Sequence, residues 1–272
     1  MISPGEPFFF KLKSPHYAIA GFGIFARSSI LPVSLAWEAF AEKNGAPDFS
    51  TMRRRIEKLR DSATPDRRAD YSIGCLMIAE PQFFDPADWI PQPSDWGRQT
   101  VQGAGYDLTT GEGRQIWEEC LARAATKQTR TATIGQEGEP RYGSPVLVLP
   151  RLGQGIFRIA VTDAYERACA LTGEHSLPAL EAAHIRPYSD GGPHEVGNGL
   201  LLRSDIHRLF DSGYVTVTPD LRFEVGRLLR EDFDNGRSYY PLHGTVIRIP
   251  HERGDQANPA YLRWHNEQVY RG

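Results

Sequence analysis

The sequence predicts an α+β protein of two domains. Three observations carry this. Near the N-terminus, runs of aromatic and β-branched residues read as strands and alternate with apolar residues at helical spacing. A stretch from Thr126 to Ser144 is rich in Gly, Thr and Gln, has no apolar period, and reads as a linker. Beyond it, a strand, a Gly/Pro loop, a second strand and a short helix follow one another between Leu180 and Asp211. The length of 272 residues fits two domains at roughly 100–200 residues each. The expected boundaries are 1–125, a linker at 126–145, and 146–272.

In chain order, Phe8 to Leu12 and Ala18 to Ala26 read as strands separated by a Ser14-Pro15 turn. Leu31 to Phe40 reads as a helix. Pro32 suits its first turn, and Leu35, Ala36, Ala39 and Phe40 share a face. Met52 to Leu59 reads as a basic helix, Tyr71 to Ile78 as a strand, and Gln115 to Ala125 as a short helix. Between Pro81 and Tyr106 no period is visible, but Phe83, Phe84, Trp89, Trp96 and Tyr106 fall there. Val146 to Leu149 reads as a short strand. Phe157 to Ala170 reads as a helix leading into a turn at Cys169–Gly173.

Bulk properties narrow the class. The hydrophobic fraction of 40% and charged fraction of 24% are those of a soluble globular protein. No run approaches the ~18 apolar residues of a membrane span. The N-terminus lacks a basic start, an apolar core and a cleavage site, so the expectation is a cytoplasmic protein without a membrane partner. Cys75, Cys120 and Cys169 are far apart and form no CxxC pair, which argues against a zinc ribbon or a disulfide framework. The net charge of −3 does not mark a nucleic-acid binder, but phosphate contacts need only a local patch. No lysine follows Lys127, so every fixed cation beyond it is an arginine.

The chemistry concentrates in Leu180-Glu181-Ala182-Ala183-His184-Ile185, Gly191-Gly192-Pro193, Asn198-Gly199-Leu200-Leu201-Leu202 and Asp205-Ile206-His207-Arg208-Leu209-Phe210-Asp211. A strand ends in His184. Asn198 closes the loop, and Leu200 to Leu202 form the second strand. Ser204 is placed to N-cap the helix Asp205 to Phe210. On that helix His207 and Asp211 stand at i and i+4 and face the same way. An imidazole and a carboxylate at that spacing can hold one divalent metal, and a histidine at the strand end can activate water.

This pattern resembles the HNH (ββα-metal) endonuclease family over about fifty residues, extending into Tyr214–Val217. The resemblance implies that His184 is the general base, that Asn198 pins the loop orienting it, and that His207 and Asp211 bind metal. Many relatives carry a metal-binding His or Asp just before the general base, where this chain has Ala183. Glu181 is the nearest acid and is expected to share a strand face with residue 183, either binding the metal directly or through water. The implied ion is Mg²⁺ or Mn²⁺, with Zn²⁺ or Ni²⁺ tolerated by an imidazole ligand. Arg186, Arg203 and Arg208 are candidate nucleic-acid contacts. His175, His194 and His243 have no matched partners and read as ordinary.

The N-terminal part carries no catalytic motif. Its order of strand, strand, helix, strand is loosely similar to PUA-like folds, which include readers of modified bases. Trp96, with Phe22, Phe25, Trp89 or Tyr106, is a candidate for an aromatic cage holding a flipped base, against the plainer reading that these rings form a core. Arg53, Arg54 and Arg55 either touch phosphates or form a solvated face. The combined expectation is a restriction-type HNH endonuclease acting on double-stranded DNA, foreign or modified, with two sites favouring a homodimer. The rivals are a non-catalytic DNA-binding protein with a degenerate HNH fold, suggested by Ala183, and an RNA-directed enzyme.

Overall fold

The computed structural model describes residues 2–60, 70–97, 103–132 and 153–272, with side chains described to residue 126 of the helix that ends at 132. The expected strand at Val146–Leu149 and residues 133–145 of the expected linker lie outside the described residues. The chain is a mixture of helix and strand, as the α+β expectation holds. It divides into two compact units, 1–28 with 76–150, and 29–75 with 151–272. The sequence-based boundary placed 29–75 with the N-terminal part, whereas these residues pack with the C-terminal part.

The first unit is built on β1 (Pro7–Lys11), β2 (Ala18–Pro32), β3 (Ser72–Phe83) and β4 (Ile90–Pro91), with the unit boundaries falling inside β2 and β3. The strand order is β1-β2-β3, and β4 pairs with β2. Helix α3 (Gly111–Ala132) presents Ile116, Trp117, Cys120 and Ala124 at helical spacing to a core of Ile19, Phe22, Phe84 and Ile90. It continues past the expected end at Ala125, so the start of the expected linker is helical.

The second unit takes α1 (Val33–Phe40) and α2 (Phe49–Glu57) from the early segment. To these it adds α4 (Gln154–Ala164), β5 (Leu180–His184), β6 (Gly199–Arg203), α5 (Ser204–Asp211), β7 (Val215–Val217), β8 (Phe223–Val225), α6 (Leu228–Phe233) and α7 (Pro259–Gln268). One core runs through it, including Phe157, Val161, Ala183, Leu200, Ile206, Phe210, Val215 and Leu262. Helix α4 ends at Ala164, short of the expected Ala170, because Glu166 and Arg167 turn to positive φ of 52° and 62°. Helix α1 lies against α4, and Gly155 permits the approach. A Cβ there would stand 2.3 Å from the Ala39 carbonyl and 2.9 Å from the Phe40 ring.

Candidate active site

The site is assembled on β5, β6 and α5. Strands β5 and β6 pair antiparallel, with Leu180 opposite Arg203 and His184 opposite Gly199. The connecting loop is closed by Asn198, which is fully buried. Its Oδ1 accepts from the Arg186 amide at 2.9 Å, and its Nδ2 donates to the carbonyls of Arg186 at 2.9 Å and Pro193 at 3.0 Å. The Ile185 amide donates to the Asn198 carbonyl at 2.9 Å. Both amide hydrogens and one lone pair of the amide oxygen are thus spent on fixing the loop next to His184. Gly192 is needed inside it, since a Cβ would stand 1.9 Å from the Arg186 carbonyl oxygen.

His184 leaves the end of β5 with its ring stacked on Phe157 of α4, centroids 3.9 Å apart and planes 12° apart. Its Nε2 lies 3.0 Å from Nδ1 of His194, whose ring in turn stacks on Tyr188 at 4.6 Å and 6°. Burial, together with the neighbouring His194 and His207, pushes the His184 imidazole down to about 4, while Asp211 pulls weakly the other way. The ring is therefore neutral at pH 7. His194, which the sequence gave no reason to single out, is also lowered by burial. Only its place in space, ten residues along a folded loop, marks it.

Helix α5 buries Ile206 and Phe210, which turns His207 and Asp211 toward β5. Its first residue is Ser204 and its N-cap is Arg203, without a side-chain cap, so Ser204 does not cap the helix as expected. His207 Nδ1 lies 2.6 Å from Glu181 Oε2, and Nε2 lies 3.2 Å from Asp211 Oδ2. Burial disfavours the charged ring, but the bonds to Asp211 and Glu181 outweigh it, and the His207 pKa is raised. Ala183 has no exposed surface and sits in the core, while Glu181 lines the cavity. Among the described residues no group of three or more His, Cys, Asp and Glu is arranged ready to hold a metal ion. Both ring nitrogens of His207 are closed onto carboxylates, so a cation would need one of them to swing away.

A cavity of about 780 Å³ opens over these groups. His184, His207, Asp211 and Glu181 line it, as do Arg158 of α4 and Glu38 of α1. The candidate nucleic-acid contacts fall differently. Arg208 is exposed. Arg186 packs over Trp264 at 5.4 Å and donates from Nε to the Asp190 carbonyl at 2.8 Å. Arg203 forks onto Asp205 at 2.7 and 2.6 Å, and Tyr239 adds a third bond to the same carboxylate. Trp96 is in the first unit, half-buried, and belongs to no part of this cavity.

Other expectations resolve plainly. Cys169 is buried and free. His243 Nδ1 accepts from the Val225 amide at 3.1 Å, a structural bond. Phe22 and Phe25 are 2% and 5% exposed, so neither belongs to an open aromatic cage. Arg53 pairs with Glu57 at 2.9 Å, Arg54 bonds Thr51 at 3.0 Å, and Arg55 bonds the Gly45 carbonyl, so each is tied to its own neighbourhood.

Residues 169–218 match the family model described as HNH endonuclease. No curated protein matches the chain. Among solved structures, one titled "Modification dependent TagI restriction endonuclease" is similar over 42% of this chain and 37% of that one, at 25% identity and a TM-score of 0.33. The present chain therefore aligns with little more than a third of that protein's length. The matched residues 169–218 take in β5, β6, α5 and β7 together with the loop that Asn198 closes, and this segment is an HNH endonuclease domain.

Proposed function

We propose that the protein is a metal-dependent endonuclease that hydrolyses phosphodiester bonds of double-stranded DNA. The observation that carries this is the shared cavity, in which a neutral His184 faces the same space as His207, Asp211 and Glu181. A neutral imidazole accepts a proton from water, which makes His184 the general base. Phe157 stacks on its ring, and Asn198 fixes the loop beside it. His207, with Asp211 and Glu181, offers one imidazole nitrogen and carboxylate oxygens, a donor set that suits Mg²⁺ or Mn²⁺ and tolerates Zn²⁺ or Ni²⁺. A divalent ion bound there supplies neutralisation of charge developing on the phosphate.

The HNH finger contacts phosphates more readily than bases, so selectivity falls to the first unit. There Trp96 and Tyr106 lie 6.3 Å apart and nearly parallel, and the Lys11 ammonium stands 4.9 Å from the Trp96 ring. These rings support a reading in which the unit, taken as a PUA-like domain, recognises a modified base. The enzyme then restricts foreign or modified DNA, and two copies cut two strands.

The test is plasmid nicking and cleavage by the full chain, on unmodified DNA, DNA with modified cytosine, and RNA, each with Mn²⁺ and with EDTA. Metal-dependent cutting of DNA is expected, with preference for the modified substrate. Ala183 and the closed Glu181–His207–Asp211 arrangement favour one rival, a DNA-binding protein with a degenerate HNH fold. Binding without cutting under every metal tested would establish that rival instead.

A further inference from the structure

We propose that Arg158 is a further phosphate-binding residue of this site, held in the DNA-free protein by Glu38. The proposal rests on the nuclease reading above and adds to it a residue outside the HNH domain. Three carboxylates, Glu38, Glu181 and Asp211, line the cavity, and they repel a phosphodiester. Among the described residues lining it, Arg158 is the single Lys or Arg. It follows Phe157, the residue that stacks on His184, so one turn of α4 sets both the base and the cation. Gln154 and Arg158 stand at i and i+4 on the face that borders the cavity.

Arg158 Nη2 lies 2.9 Å from Glu38 Oε2, with the two side chains 29% and 50% exposed. An ion pair so open to solvent contributes little, and a phosphate offers the guanidinium a better, bidentate partner. Glu38 reaches this position because Gly155 lets α1 lie close on α4. Glu38 therefore competes with DNA for Arg158. It occupies the guanidinium in the free protein and is displaced when a phosphate next to the reacting bond enters.

This gives the two partners opposite effects, which a purely structural ion pair does not. The experiment is equilibrium binding of a labelled DNA duplex to the full-length protein in EDTA, across a KCl series, with thermal unfolding of each variant as a check. Arg158→Ala should weaken binding and reduce the slope of log K against log[KCl] by about 0.9, the share of one phosphate contact. Arg158→Lys should keep the slope. Glu38→Gln should tighten binding roughly two- to fivefold at low salt, the scale of releasing an exposed pair. If Arg158→Ala does not fold, Glu38→Gln decides alone, and equal or weaker binding by it overturns the proposal. An unchanged slope in a folded Arg158→Ala, with salt-dependent binding intact in the wild type, also overturns the proposal and leaves the nuclease reading standing. A wild-type protein that binds no duplex overturns both.

Discussion

Nε2 of His184 and Nδ1 of His194 stand 3.0 Å apart, so the two neutral rings hold one proton between them. The bond fixes His184 at the edge of its ring, while Phe157 covers its face. His194→Ala is expected to lower kcat about 10- to 100-fold with KM little changed, the usual effect of losing a partner that orients a reacting group. His194→Gln, which keeps a hydrogen-bonding partner, should recover part of the rate. Because His194 helps depress His184, its removal should also move the acid limb of the rate profile to higher pH. An unmoved limb and an unchanged kcat in His194→Ala would make His194 a packing residue only.

His184→Ala should lower cleavage by about 10²- to 10⁴-fold, the range for loss of a general base. DNA binding should survive, since the ring lies against Phe157 and His194 rather than in a phosphate contact. Cleavage within a few fold of wild type would remove His184 from the mechanism.

The closed arrangement around His207 makes a specific prediction about metal. Either Glu181 or Asp211 must release its ring nitrogen before that nitrogen can bind a cation. His207→Ala and Asp211→Ala should each require more Mn²⁺ to reach half-maximal rate. Should Glu181 be the group that leaves and does not bind, Glu181→Ala will show an unchanged or lower Mn²⁺ requirement. A raised requirement would instead make Glu181 a ligand. Isothermal titration of Mn²⁺ into each variant checks the same order without relying on cleavage.

Asn198→Asp should destabilise the second unit. It replaces an amide NH₂ that donates to two carbonyls with an oxygen that meets them as a second acceptor, in a fully buried place. Leaving such groups unpaired costs about 1–3 kcal/mol each. A fall in unfolding free energy of that order, read from urea titrations, is expected, and a midpoint equal to wild type would mean that the loop rearranges at no cost.

Stability should also fall with acid through His265, which is 2% exposed. Its Nε2–H donates to the Phe210 carbonyl at 3.1 Å, and its Nδ1 accepts from the Thr216 hydroxyl at 2.8 Å. Burial pushes it down to about 4, against weaker upward pulls from the Phe210 bond and Asp211. The unfolded chain binds a proton near pH 6.5 that the folded chain refuses until about pH 4. The contribution is therefore full above pH 6.5 and is lost as pH falls between these values, by up to about 3 kcal/mol. Urea midpoints at pH 7.5, 6.5 and 5.5 should decline more steeply in the wild type than in His265→Gln. Parallel declines would assign the acid sensitivity elsewhere.

The HNH finger was legible because its signals are local. A strand ending in His184, an Asn198 before Gly199, and an i,i+4 pair on a short helix each report on residues a few positions apart. The first helix was equally readable, expected over Leu31–Phe40 and found over Val33–Phe40. What escaped was long-range or backbone-specific. Arg158 and Glu38 meet across 120 residues, and nothing in either segment announces the other. The break after Ala164 depends on positive φ at Glu166 and Arg167, residue types that carry no turn signature. Ser204 read as a cap because its type favours one, but the helix takes it as its first residue.

The second unit is discontinuous along the chain, and this sets how it can be handled and inherited. In sequence, residues 76 to 150 fall between its two pieces. A single cut at residues 126–145 cannot release it whole, because α1 and its Glu38 stay with the other fragment. A fusion or a recombination event that transplants 146–272 alone should deliver the HNH finger without the wall that Glu38 gives the cavity. Synthesis imposes the same order, since α1 leaves the ribosome long before α4 exists for it to pack on. A working transplant needs three boundaries, one inside β2, one inside β3 and one after residue 150, and grafted proteins should keep the wall that Glu38 gives the cavity only when all three are respected.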